Sequence, residues 1–116
     1  MPSSSSHRLK KNADFLHVLR GRTKKFEGIF GRMVVAGGRS SVARFGFVVS
    51  KKASPRSTER NLLKRRASEW VRKRLPSMRA GFDVIFIFEK GATSLSRRIL
   101  YEELERACKR AGLFQN

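Results

Sequence analysis

A chain of 116 residues with a formal net charge of +18 and a pI near 11.6 has the length of one domain. Its self-repulsion calls for a polyanionic partner: RNA, DNA or an acidic membrane surface. The 40% hydrophobic content falls in periodic blocks, which excludes a mere basic tail, and no apolar run approaches the roughly 20 residues that span a bilayer.

Residues 1–7, a Ser run without an apolar h-region, exclude a secretory signal and read as a disordered tail ahead of a single domain over 8–116. The lone cysteine, Cys108, cannot form an internal disulfide and fits a reducing cytoplasm. After a basic lead-in, Asn12 is placed to cap a short helix from Ala13 to about Arg20, with Phe15, Val18 and Leu19 on its apolar side and Gly21 as its stop. Residues 22–25 read as a basic connector. From Phe26 to about Ala36 the chain reads as one or two strands broken at Gly28 and Gly31. After a Gly-rich turn at 37–41, Arg44 to about Lys51 predicts the next strand, with Phe45, Phe47 and Val49 on one face and Gly46 and Val48 on the other. The short loop between these segments suggests that they pair antiparallel.

Residues 59–75 predict a helix with two faces. Leu63, Ala67, Trp70, Val71 and Leu75 share the spacing of a buried stripe, while Asn61, Lys64, Arg65, Ser68 and Arg72 point elsewhere. Ser54-Pro55 sets a turn before it, Ser57 or Thr58 is placed to cap it, and Pro76 ends it. Residues 51–75 hold ten Lys and Arg, Arg56 and Arg66 among them, against Glu59 and Glu69. The Arg-rich balance favours paired grips on phosphate oxygens over an ordinary solvated face. Phe82–Phe88 is the strongest strand, apolar on both faces from Val84 and therefore central. Thr93 or Ser94 would cap a last helix from about Leu95 to Ala111, with Gly112 just past its end. The order implies an α+β sandwich.

The nine acidic residues are scattered, and no Cys/His spacing makes a zinc site. His7 and His17 read as a tail residue and a surface residue. No catalytic residue and no protein metal ligand set is therefore assigned; Asn61 and Asp83 carry oxygens a metal could use, but a lone Asn or Asp is more often structural. Phe15 and Leu19 read either as core or as the border of a groove where a flexible nucleic-acid strand stacks.

Four blocks in order resemble the bacterial ribonuclease P protein component: Arg8-Leu9-Lys10-Lys11-Asn12-Ala13-Asp14-Phe15, Gly46-Phe47-Val48-Val49-Ser50-Lys51-Lys52, Glu59-Arg60-Asn61-Leu62-Leu63-Lys64-Arg65 and Ala80-Gly81-Phe82-Asp83-Val84-Ile85. The resemblance covers about residues 8–113. It implies a small four-stranded mixed sheet with three helices (αβββαβα) and a left-handed βαβ crossover, where general rules give a right-handed one. It also implies the role of a cytoplasmic protein subunit whose partner, ribonuclease P RNA, carries the catalysis and binds Mg²⁺. That RNA hydrolyses precursor tRNA at the mature 5′ end; no obligate protein partner and no membrane is implied. By the resemblance, Arg60, Asn61, Lys64 and Arg65, with Lys51 and Lys52 beside them, bind RNA, and Phe15 matches an aromatic of the 5′-leader cleft. Arg56, Arg66 and Arg72 join the basic set. Leu62, Ser68 and Leu19 depart from the family pattern. Arg66, one turn after Leu62, and Arg72, one turn after Ser68, are placed to supply replacement phosphate contacts. The competing readings are a non-catalytic RNA-binding protein, such as a ribosomal protein or RNA chaperone, and a DNA-binding regulator. The latter lacks a helix-turn-helix pair.

Overall fold

Val84, Ile85 and Phe86 are fully buried and Phe88 almost so, so the strand that carries them needs partners on both edges and cover on both faces. The computed structural model, which describes residues 8–9, 12–21, 23–37 and 41–115, supplies both. The elements are α1 (Asn12–Arg20), β1 (Thr23–Gly28), β2 (Gly31–Gly37), β3 (Arg44–Val49), α2 (Ser57–Arg74), β4 (Phe82–Phe88) and α3 (Arg97–Arg110). Single 3-10 turns occupy Leu75–Ser77 and Ala92–Ser94. The sheet order is β1-β2-β4-β3, with β1–β2 and β2–β4 antiparallel and β3–β4 parallel. This is the α+β arrangement of a four-stranded mixed sheet with three helices.

One sheet face meets α1: Val34, Ala36 and Ile85 pack with Val18 and Leu9, and Phe15 and Ile87 close the cluster. The other face meets α2 and α3. There Met33, Val35, Phe45, Val84, Phe86 and Phe88 pack against Leu63, Ala67, Trp70, Val71, Leu100, Leu104 and Cys108. Phe86 is the hub of that layer: its ring stacks with Phe45, Phe47 and Phe88 at centroid distances of 6.4, 5.8 and 6.2 Å, and Phe30 meets it edge-on at 6.1 Å. Such aromatic pairs add stabilisation beyond the area they bury.

In the sheet and the last helix the structure corrects three sequence expectations. Thr23–Lys25 are not a connector but the start of β1, pairing with Ala36, Val35 and Val34. An edge strand half-buried at only Thr23 and Phe26 carries too little apolar pattern to announce itself. Consecutive β2 and β3 do not pair, because β4 lies between them and takes both as partners. The last helix starts later than expected: Ser96 is its N-cap, accepting from the Ile99 N–H at 3.2 Å, and Thr93 and Ser94 lie in the preceding 3-10 turn. Gly112, at φ 70°, ends α3 as expected. The tail at 1–7 lies outside the described residues.

Two buried groups generate predictions. Asp83 is fully buried, and Arg44, its register partner on β3, donates to it twice, through Nε to Oδ1 at 2.9 Å and NH2 to Oδ2 at 2.8 Å. Asp83→Ala removes the buried acceptor of two Arg44 hydrogen bonds and costs about 2–3 kcal/mol in a urea titration. Burial, aided by the nearby Glu105 carboxylate, pushes the Cys108 thiol up to about 12. An unfolded cysteine ionises near ~8.5, so between these values only the unfolded chain loses the proton, and stability falls by about 1.4 kcal/mol per pH unit. Cys108→Ala removes that component of the slope in pH-dependent melts. A thiol reagent labels the native protein at pH ~8 far more slowly than the unfolded chain.

Candidate nucleic-acid interface

The buried stripe of α2 (Leu63, Ala67, Trp70 and Val71) fixes which of its cations face outward. Its start is held by side chains of the preceding turn, not by the expected Ser57 or Thr58 caps, which lie inside the helix. Arg56 occupies the N-cap position without a side-chain cap. Buried Ser54 donates through Oγ to Glu59 Oε1 at 2.7 Å, and the Arg60 guanidinium donates to the Ser54 carbonyl at 2.8 Å. The turn and the first helical turn therefore hold each other.

Beside this helix, at the β3 edge, lies a groove of ≈ 450 Å³. Lys64, Arg65, Ser68, Glu69 and Arg72 form the α2 wall; Arg8, Leu9 and Phe15 form the other; Phe45, Gly46 and Phe47 lie between. Four cations face one carboxylate, so the groove attracts anions and repels metal ions. No cluster of three or more metal-ligating side chains occurs among the described residues. Asp83 is bound to Arg44 beneath the surface and is no ligand. The described side chains of the groove thus fit phosphate rather than Mg²⁺.

Phe15 enters the groove because Gly46 leaves it room. A Cβ at Gly46 would lie 2.6 and 2.7 Å from Phe15 Cε1 and Cζ and 3.3 Å from Leu9 Cβ. Leu19 is 47% exposed and lies outside the groove lining. Of the predicted cations, Lys64, Arg65 and Arg72 line the groove, together with Ser68. Exposed Asn61 precedes Lys64 and Arg65 by three and four residues and so shares their side of α2. Lys51, Lys52 and Arg56 are exposed before the helix, outside the lining. Half-buried Arg60 serves the turn. Arg66 lies off the groove, half-buried, with its Nε buried and without a hydrogen-bond partner among the described residues. Arg8, Gly46, Phe47 and Glu69 were not assigned from the sequence. The alternation of β3 did separate Gly46 from Phe45 and Phe47, but nothing in the residues alone showed that Phe15 would rest there.

Outside the groove lining, α3 offsets part of its own charge, with five Lys and Arg against three Glu. Arg98–Glu102 (3.2 Å), Arg106–Glu103 (3.7 Å) and Lys109–Glu105 (4.0 Å) pair along the helix, and Arg74 reaches Glu105 at 2.9 Å. Among the described residues no helix is long and apolar enough to cross a membrane.

The family model described as Ribonuclease P matches residues 4–112. The ribonuclease P protein component of Clostridium kluyveri is 33% identical over 111 residues, covering 94% of this chain and 97% of that protein. That of Microcystis aeruginosa is 32% identical, covering 92% of each. Among solved structures, the RNase P protein of Thermotoga maritima superposes with a TM-score of 0.78 at 26% identity, covering 89% of this chain and 96% of that one. The Staphylococcus aureus RNase P protein reaches 0.85 at 24% identity, covering 94% and 98%, a likeness of fold.

The Gly46 seat yields a direct test. Gly46→Ala displaces the Phe15 ring and weakens binding of a single-stranded oligoribonucleotide in the same sense as Phe15→Ala. Base–aromatic stacking sets the scale at about 1–3 kcal/mol, readable by fluorescence anisotropy.

Proposed function

The chain belongs to the ribonuclease P protein family and serves as a protein subunit in tRNA 5′ processing; on that premise we propose that it binds ribonuclease P RNA along α2 and holds the 5′ leader of precursor tRNA against Phe15, while the RNA carries the chemistry. The observation behind this reading is the groove itself: Lys64, Arg65 and Arg72 on one wall and an aromatic ring on the other. Among the described residues it contains no acid–base pair suited to cutting a phosphodiester.

Each part of the site has a physical task. The cations reduce the repulsion between two RNAs brought together, and the guanidinium groups of Arg65 and Arg72 can grip phosphate oxygens in pairs. Phe15 offers a stacking face to an unpaired base without demanding its identity, which suits leaders of varied sequence. The divalent ions that assist phosphodiester hydrolysis belong, in this reading, to the RNA, since the groove presents cations. The setting is the cytoplasm, where tRNA is made in bacteria, and no further protein partner is needed.

The test is cleavage of precursor tRNA at low Mg²⁺ by a bacterial ribonuclease P RNA, with and without the protein. Cleavage at the mature 5′ end that requires both components supports the reading. Cutting by the protein alone would overturn it, and RNA binding without rescue would make the chain a non-catalytic RNA-binding protein. Neutralising about 6–10 phosphates makes affinity fall roughly 10³–10⁵-fold between ~50 and ~200 mM salt, so a flat salt response would contradict it.

A further inference from the structure

Arg8 lies outside the basic helix, yet it reaches the same groove, and the sheet edge explains how. β3 is an outer strand. The Leu9 N–H donates to the Phe45 carbonyl at 3.0 Å, and Arg8 forms a parallel bridge with Phe45, so residues 8–9 add a short segment to that edge. Leu9 is buried at 6% exposure among Val18, Val34 and Ile85, on the α1 side of the sheet. Successive side chains on extended backbone point to opposite faces, so the anchoring of Leu9 turns Arg8 toward α2. Arg8 is exposed there and lines the groove opposite Arg65 and Arg72. Its guanidinium makes no ion pair or hydrogen bond with another described residue.

We propose that Arg8 is a further RNA-phosphate ligand, forming with Arg65 and Arg72 a subsite for one phosphodiester of a strand that passes Phe15. The inference rests on the RNA-binding reading above. Glu69 is the one carboxylate in the lining, and it leaves the subsite cationic. The placement of Arg8 depends on the backbone and on Leu9, so truncating its side chain leaves the segment docked. The phosphate could belong to ribonuclease P RNA or to the precursor leader; the chemistry of recognition is the same.

The experiment compares wild type, Arg8→Ala, Arg8→Lys and Arg65→Ala for binding to ribonuclease P RNA, to precursor tRNA with its leader and to mature tRNA, each over a range of monovalent salt. Arg8→Ala is expected to weaken binding and to lower the slope of log K against log salt by about one, at an unchanged melting temperature. Arg8→Lys is expected to restore the slope. A loss confined to precursor tRNA assigns the phosphate to the leader, and a loss confined to ribonuclease P RNA assigns it to the partner; either supports the proposal. If Arg8→Ala keeps the wild-type affinity and slope while Arg65→Ala loses both, the Arg8 proposal is overturned and the RNA-binding reading stands. If Arg8→Ala loses affinity and melting temperature together and Arg8→Lys restores only the latter, Arg8 is structural and the proposal also fails. If the wild-type protein binds none of the three RNAs, the underlying reading fails and takes the proposal with it.

Discussion

The burial of β4 on both faces governs the rest of the molecule. A strand reading Val-Ile-Phe-Ile-Phe after Asp83 can be satisfied only between two other strands and between two layers of helix. That requirement sends α1 to one face and α2 with α3 to the other. It also leaves β3 at an outer edge, where residues 8–9, α1 and α2 converge. The groove is the space left at this convergence, and its aromatic, main-chain and cationic parts come from different layers held in place by one core.

Charge is distributed with the same economy. The acidic residues of α3 are engaged with Arg98, Arg106, Lys109 and Arg74, so part of the positive charge on this side is offset, although five Lys and Arg of α3 still outnumber its three Glu. The exposed pair Arg98–Glu102 adds little to stability. The effect of the α3 pairs is to concentrate the uncompensated field on the α2 side, where Lys64, Arg65 and Arg72 stand. Such a field destabilises the free protein through self-repulsion, and a bound polyanion relieves it.

Much of this was legible in the sequence where one residue pattern determined one outcome. The two-faced α2, the central β4 and the Gly112 stop all follow from periodicity or from backbone preference at single positions. The misses occurred where a segment's role depends on remote neighbours. Thr23–Lys25 are strand because β2 offers a partner, not because of their own character. The pairing of β3 with β4 rather than β2 is decided by the burial needs of a strand some forty residues later. Ser54 read as a turn residue and Glu59 and Arg60 as parts of a signature, whereas the structure engages them with one another. The basic helix pointed to the cationic wall of the groove, but the opposite wall depends on Arg8 meeting Phe45 and Phe15 meeting Gly46, contacts invisible to local spacing.

The insertion of β4 between β2 and β3 also dictates an order of events as the chain is made. β1 and β2 can close their hairpin as soon as both exist, because their turn is local. β2 and β3 then present two unsatisfied edges that must not join each other, since their shared partner is still to come. Only when Phe82–Phe88 has emerged can the central strand enter, and its parallel partner is reached through the whole of α2, a non-local and therefore slow closure. In a bacterial cell, where synthesis runs at about 5–20 residues per second, the nascent chain spends seconds with its most apolar edges open. The dense positive charge of α2, lying between β3 and β4 in the chain, keeps neighbouring copies apart through that interval.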